Sequence, residues 1–126
     1  MPGVLTESQE QIIIFQWCNR NKNEYPELNF IFAIPNGGKR NIVTASRLKL
    51  EGVKPGVPDM FLPVARHNYH GLFIELKRLK GGAVSIHQES WKNNLRAQGY
   101  AVATAKGAVR AITIIAAYLG IKNYAI

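Results

Sequence analysis

The sequence predicts an α/β fold in which helices cover both faces of a mixed sheet of four strands. Three observations predict it: 126 residues suffice for one compact domain, 47% of them are hydrophobic, and apolar segments with helix and strand periodicity alternate along the chain. This composition excludes disordered and collagen-like proteins. We expect residues 1–126 to form a single domain with the element order α-β-α-β-β-α-β-α.

The first half of the chain is expected to hold two helices and one strand. The segment Thr6-Glu7-Ser8-Gln9 is a capping box, which begins a helix, and Pro26 limits its extent. Gly52 is expected to end the second helix. The predicted elements are a helix from Thr6 to about Asn23, a buried strand over 28–34 and a helix over 42–51.

The second half is expected to hold three strands and two helices. Ser85 caps the helix between the second and third of these strands, and Gly99 ends it. A polar turn over 66–71 joins the first two strands. The predicted elements are strands over 59–64, 72–78 and 100–105 and helices over 86–98 and 108–119.

The charge balance indicates a polyanionic partner. Sixteen Lys and Arg residues face eight acids, which gives a net charge of +8 and a pI of about 9.9. Such a surface suits nucleic acid, although a protein can also be basic for solubility alone. The single cysteine, Cys18, excludes an intramolecular disulfide and a multi-cysteine zinc site. Without a signal sequence or an apolar run of about 20 residues, we expect a soluble protein of the cytoplasm.

The predicted strand over 72–78 carries the most informative side chains. Glu75 and Lys77 lie on one of its faces, because side chains alternate along a strand. They form either a self-neutralising ion pair or part of a site. A hairpin centred on His67 would pair Phe61 with Phe73 and bring Asp59, the only aspartate, opposite Glu75. Two facing carboxylates repel unless a cation lies between them, and oxygen ligands favour Mg²⁺ or Mn²⁺.

Three further features have both a functional and an ordinary interpretation. Glu10 lies on the apolar face of the first helix and can supply another metal ligand. Alternatively, its negative charge in the first turn is stabilised by the helix dipole. Glu7 is a second candidate for the metal ligand. Gln88 either faces the site or completes a capping box with Ser85. The turn over 35–40 holds two glycines and two cations, which suit a DNA phosphate or an ordinary solvated turn.

Several segments together resemble the PD-(D/E)XK nucleases: Val57-Pro58-Asp59, Glu75-Leu76-Lys77 and Gln88. The chain is more similar still to the virus-type replication-repair nuclease (VRR-NUC) domain, over nearly its whole length. Further segments that carry this resemblance are 34–40, 47–49, 51–54, 56–59 and 98–100. It implies a restriction-endonuclease-like core and a metal-dependent, structure-selective endonuclease that hydrolyses phosphodiester bonds in branched DNA such as Holliday junctions.

The resemblance also implies roles for individual residues. Asp59, Glu75 and the Leu76 backbone carbonyl are expected to bind Mg²⁺ or Mn²⁺. Glu10 is then the helix-borne acid, which binds the metal directly or through water. Lys77 is the catalytic lysine, and Gln88 orients water or substrate. The expected DNA contacts are Asn36, Lys39, Arg40, Arg47, Lys54 and Lys80.

A stand-alone domain of this type is similar to phage proteins, which implies a homodimer acting on junction DNA in the host cytoplasm. The apolar helix over 108–119, where Ile112, Ile115 and Leu119 share a face, is the expected interface or is packed entirely within the chain. Other interpretations are a different PD-(D/E)XK resolvase, a non-catalytic basic nucleic-acid-binding module and an assembly protein. The binding module gives no reason for Asp59, Glu75 and Lys77 to occur together.

Overall fold

The structure, a computed structural model, describes residues 4–35, 42–79 and 85–126. The helices of this part are α1 (Glu7–Asn21), α2 (Ile42–Leu50), α3 (Ile86–Ala97) and α4 (Ala108–Leu119). The strands are β1 (Phe32–Ala33), β2 (Met60–Leu62), β3 (Leu72–Lys77) and β4 (Ala101–Lys106). They form one mixed sheet in the order β1-β2-β3-β4, in which only β3 and β4 run parallel. The predicted fold class is confirmed.

The hairpin between β2 and β3 has the predicted register. Phe61 pairs with Phe73, and the regular ladder ends where Met60 pairs with Ile74. The turn of the hairpin contains His67 and Asn68 at φ 53° and 67°, the left-handed conformation that a tight hairpin turn requires. This register carries the preceding residue, Asp59, to the level of Glu75.

The two faces of β3 are covered by different helices. Ile74 and Leu76 pack into the core with α1 and α4, and each is at most 1% exposed. On the opposite face, the side chains of Glu75 and Lys77 meet α3 through Gln88. The core face is therefore apolar, whereas the other face places charged groups under a helix. The fully buried side chains that α1 and α4 bring to the core include Ile14, Trp17, Ile112 and Ile115.

The first strand is shorter and more exposed than the sequence predicts. A short 3₁₀ helix occupies Pro26–Asn29, where proline suits the first turn. The Asn29 side chain donates to the carbonyls of Pro26 and Lys22, which holds this turn in place. The prediction of a buried strand over 28–34 was therefore wrong: the regular strand comprises only β1, whose two residues are exposed at the sheet edge, and one further backbone bond of 2.8 Å joins the Ile34 N–H to the Asp59 carbonyl.

The apolar face of α4 packs within the chain, which is the second of the two interpretations of this helix. Ile112 and Ile115 are 0% exposed and belong to the core, and Leu119 packs against that core. Val109, a larger apolar residue of the same helix, is 62% exposed.

None of the helices in the described parts of the chain combines the length and the apolar character that a membrane crossing requires.

Candidate active site

Asp59 lies at the point where β2 ends and leaves the edge of β3. Its backbone N–H donates to the carbonyl of Ile74 over 2.9 Å, so Asp59 is not a regular ladder partner of Glu75. Its carboxylate turns back to the same strand, where Oδ2 accepts the N–H of Leu76 at 2.6 Å. These two bonds bracket Glu75 and fix the aspartate carboxylate beside it.

Glu75 is a buried carboxylate whose two oxygens differ. The residue is 3% exposed, and its Oε2 accepts a hydrogen bond of 3.1 Å from the Gln88 side-chain amide. Its Oε1 is buried and has no hydrogen-bond partner among residues 4–35, 42–79 and 85–126. A buried acceptor without a partner destabilises the fold, so such atoms occur where a ligand or ion completes the site.

The electrostatic surroundings of Glu75 favour its neutral form. Burial and then the negative charge of Asp59 raise the pKa of this carboxyl from its usual value near 4.5 to about 8. The positive charges of Lys77 and Lys92 act in the opposite direction. A cation bound between the two carboxylates would remove their repulsion and return Glu75 to its ionised form.

Gln88 satisfies both interpretations that the sequence leaves open. In α3 it completes the capping box, in which its N–H donates to Ser85 Oγ and its Oε1 accepts the N–H of Ser85, each at 3.1 Å. The same Oε1 accepts Lys77 Nζ at 2.8 Å, and its amide nitrogen donates to Glu75. The helix terminus therefore fixes the amide that joins the lysine to the glutamate.

Lys92 is a site residue that the sequence analysis missed. It lies one turn after Gln88 on α3, is 4% exposed, and adds a positive charge that acts on Glu75. Its partner Glu89 is 3.8 Å away, and the side chain of Glu89 is 54% exposed. The i,i+4 spacing from Gln88 was the signal in the sequence, because residues so spaced share a helix face.

The two acids of α1 occupy different surroundings. Glu10 is 4% exposed, and its Oε2 accepts the N–H of Ala108, the first residue of α4. The N-cap of α4 is Gly107, which has no side chain to cap the helix, so Glu10 supplies the carboxylate from another element. Glu7 is exposed and lines a cavity with Asp59 and Leu76. Of the two acids, Glu7 is therefore the one that lines a cavity together with Asp59.

The donor set fits a hard divalent cation. Asp59 and Glu75 supply carboxylate oxygens, one of them the buried Oε1. Among the described residues, no third Asp, Glu, His or Cys side chain joins them in a metal-binding group. Oxygen ligands of this kind suit Mg²⁺ or Mn²⁺ rather than zinc. The roles of Glu10 and of the Leu76 carbonyl in binding metal stay predictions.

The residues predicted to contact DNA are only partly described. Arg47 is exposed on α2, and Lys54 is exposed at the rim of a second cavity beside Trp91. The remaining four lie outside the described residues: Asn36, Lys39, Arg40 and Lys80. The contacts of all six with DNA stay predictions.

Comparison with known proteins identifies the family. The VRR-NUC domain model matches residues 5–109. A solved structure of a VRR-NUC domain protein is 30% identical, with a TM-score of 0.78, over 98% of this chain and 95% of that one. No curated protein matches significantly. The chain belongs to the VRR-NUC family, whose domains have the PD-(D/E)XK nuclease fold.

Proposed function

We propose that this protein is a metal-dependent endonuclease that hydrolyses phosphodiester bonds in branched DNA, with Mg²⁺ or Mn²⁺ as its cofactor. The observation that carries the proposal is the buried Glu75 Oε1, which lacks a partner in the described chain and lies beside a second carboxylate, Asp59. Lysine and glutamine side chains complete the group. A structural role alone gives no reason to bury an acceptor in this way.

The proposed reaction is attack of water on phosphorus, with rupture of one P–O bond and transfer of a proton to the departing oxygen. The cation, when bound, supplies Lewis-acid stabilisation of the phosphate charge and lowers the pKa of water. Asp59 and Glu75 would hold it through their carboxylate oxygens. Lys77, fixed by Gln88, puts positive charge where the phosphate oxygens become more negative.

Two candidates exist for the helix-borne acid. Glu10 is the residue expected from the sequence, but its Oε2 already accepts the Ala108 N–H. Glu7 lines the same cavity as Asp59, although it does not form a three-carboxylate group with Asp59 and Glu75 among the described residues. We propose Glu7 for this role. Cleavage by Glu7→Gln and Glu10→Gln, compared at equal folded fraction, decides between them, because only the acid at the reacting centre affects the rate directly.

DNA binding is assigned to the basic surface. The chain carries a net charge of +8, and its exposed cations include Arg47 and Lys54. If about six phosphates are neutralised, the slope of log affinity against log salt is about −5. Replacing Lys39 and Arg40 together by alanine should make that slope shallower by about one to two units, since each cation contributes about 0.9.

Junction cleavage requires two incisions, and a two-fold homodimer supplies two equivalent sites. We propose such a dimer, with an interface outside the buried face of α4. Light scattering should give twice the chain mass of 14.0 kDa. A particle of single chain mass that still makes paired cuts would contradict the dimer without affecting the chemistry.

The decisive experiment compares substrates and metals. Purified protein is incubated with four-way, flapped and linear duplex DNA in Mg²⁺, Mn²⁺ or EDTA. We expect cleavage of branched DNA with either metal and none in EDTA. Asp59→Asn, which removes a ligand charge but no surface cation, should bind the same DNA without cutting it. Glu89→Gln is the matched control, since it also neutralises a carboxylate but the side chain of Glu89 is 54% exposed.

Binding without cleavage by the wild-type protein in every metal would instead support the non-catalytic module. Equal cleavage by Asp59→Asn and the wild-type protein would refute the metal site.

A further inference from the structure

The helix α1 has apolar side chains beyond those that are fully buried in the core. Ile14 and Trp17 are fully buried there. Ile12 and Phe15 line a cavity of about 580 Å³; Phe15 also packs against the core, whereas Ile12 is 54% exposed. The run Ile12-Ile13-Ile14-Phe15 is thus longer than one core-facing stripe requires. Its surplus borders the candidate active site.

The opposite wall of this cavity is also apolar. It consists of Ala33, Ile34 and Pro35, which come from the end of β1, and Asp59 and Leu76 close the cavity at the sheet. Its volume lies within the range of about 300–1,000 Å³ that is typical of small-ligand sites. A group bound here would therefore touch Asp59 at one end and apolar surface on two sides.

The charged side chains that line the cavity determine which chemical groups can bind in it. Among the described residues that line it, the charged side chains are both acids, Glu7 and Asp59. Without a cation a phosphate would be repelled, so its place is at the acid end with the metal. The remaining space suits a neutral, flat group with polar edges, for which Ser8 and Gln11 offer hydrogen bonds.

We propose that this cavity receives the base of an unpaired nucleotide adjacent to the scissile phosphate. The inference rests on the proposed nuclease function and names its substrate class: DNA with unpaired nucleotides at the cut, such as flaps and open branch points. A base in continuous duplex is paired and stacked, and moving it costs free energy, whereas an unpaired base enters without that cost. Apolar and aromatic walls bind base faces with little sequence preference.

A binding experiment tests the cavity without requiring catalysis. Asp59→Asn protein is mixed with a series of flapped DNA molecules, each of which carries 2-aminopurine at a different nucleotide around the branch. The fluorescence of 2-aminopurine reports how strongly this base is stacked. We expect one or two unpaired positions to change in fluorescence on binding, and paired positions to stay constant. Constant fluorescence at every position would overturn the proposal.

The variant Ile12→Ser removes part of the apolar wall and leaves the core intact, because Ile12 is exposed. We expect it to weaken binding of flapped DNA by about five-fold and to leave duplex binding unchanged. Val109→Ser is the matched control, since Val109 is also an exposed aliphatic residue, at 62%, but lies on α4. Equal effects of the two substitutions would contradict a base site at Ile12.

Cleavage separates this inference from the function on which it rests. If the wild-type protein cuts flapped DNA, an abasic residue at the responsive position should slow cutting by about five-fold or more. Efficient cutting with the abasic residue, or equal cutting of continuous duplex, would refute the base site and leave the nuclease in place. Failure to cut any DNA in Mg²⁺ or Mn²⁺ would refute the nuclease, and the fluorescence result would still decide the cavity.

Discussion

Glu10 and Glu75 are both buried carboxylates, yet their hydrogen-bond partners differ. Glu10 is 4% exposed and Glu75 3%. The first accepts a backbone N–H at the beginning of α4, where the helix dipole also favours negative charge. The second has an oxygen without a partner in the described chain and another carboxylate beside it. Burial of an acid is common to both, so what distinguishes Glu75, the proposed metal ligand, is its incomplete set of hydrogen-bond partners.

The largest expected effect is the loss of cleavage when Glu75, the acid with an incomplete set of hydrogen-bond partners, is neutralised. Glu75→Gln should lower the cleavage rate by more than about a hundred-fold, since even residues that only support metal ligands are worth ten- to a hundred-fold. Its stability at neutral pH should be close to that of the metal-free wild-type protein, because a carboxyl with a pKa of about 8 is already largely protonated there.

Single-turnover cleavage and urea unfolding measure both properties. Glu10→Gln is the matched variant and should retain cleavage. If Glu10→Gln lost as much activity as Glu75→Gln while folded, Glu10 would belong to the reacting centre and the comparison would fail.

The second effect is on stability and concerns Glu10, whose carboxylate accepts a backbone N–H. Glu10→Ala leaves the Ala108 N–H without its acceptor and removes the charge at the α4 terminus. An unsatisfied buried donor costs about 1–3 kcal/mol. We expect the free energy of unfolding to fall by that amount in urea, whereas Glu10→Gln, which keeps an acceptor oxygen, should lose less. An unchanged unfolding midpoint in Glu10→Ala would show that Glu10 does not act as the cap of α4.

How far the sequence predicts the fold depends on how local its signals are. The bounds of α4 agree with the prediction, because an apolar run between Gly107 and Gly120 sets both ends. The register of β2 and β3 follows from a tight turn. The first strand was predicted wrongly because the proline that opens a 3₁₀ turn was weighed only as the end of a helix.

In the candidate site, too, the contacts between residues close in sequence were predictable and those between distant residues were not. Gln88, Lys77 and Glu75 come together through one strand and the helix that follows it, so their contacts could be anticipated. The partner of Glu10 lies 98 residues away in the chain. Neither that bond nor the burial of Lys92 is visible in sequence, since a lysine on a polar helix is normally exposed. Long-range contacts therefore decided which acid of α1 faces the cavity.

A third prediction concerns pH: the free energy of unfolding should change with pH in opposite directions for the metal-free and the metal-bound protein. Because the pKa of Glu75 is raised to about 8, the folded chain holds a proton that the unfolded chain releases near pH 4.5. The free energy of unfolding of metal-free protein should therefore decrease as pH rises through this range. A cation favours the ionised carboxyl, so added Mn²⁺ should stabilise the protein most near pH 8.

Thermal unfolding from pH 5 to 8.5, in EDTA and in Mn²⁺, measures this dependence. Glu75→Gln should flatten the curve in EDTA, and Glu10→Gln should leave it as in the wild-type protein. A wild-type curve that rises towards pH 8 in EDTA would mean that Glu75 is ionised without a cation.

The smallest effect is expected from Lys92, the cation that faces Glu75 from α3. Its positive charge favours the ionised carboxyl, so Lys92→Met should shift the fall in metal-free stability to higher pH by making Glu75 harder to ionise. Methionine has a similar length and no charge, so packing around this 4%-exposed residue is largely kept. Cleavage should require a correspondingly higher pH and reach a similar maximum. Lys92→Arg, which restores the charge, should return the pH curves of stability and of cleavage towards the wild-type positions. If Lys92 has only a structural role, Lys92→Met should instead change the stability at all pH values and leave the pH of half-maximal cleavage unchanged.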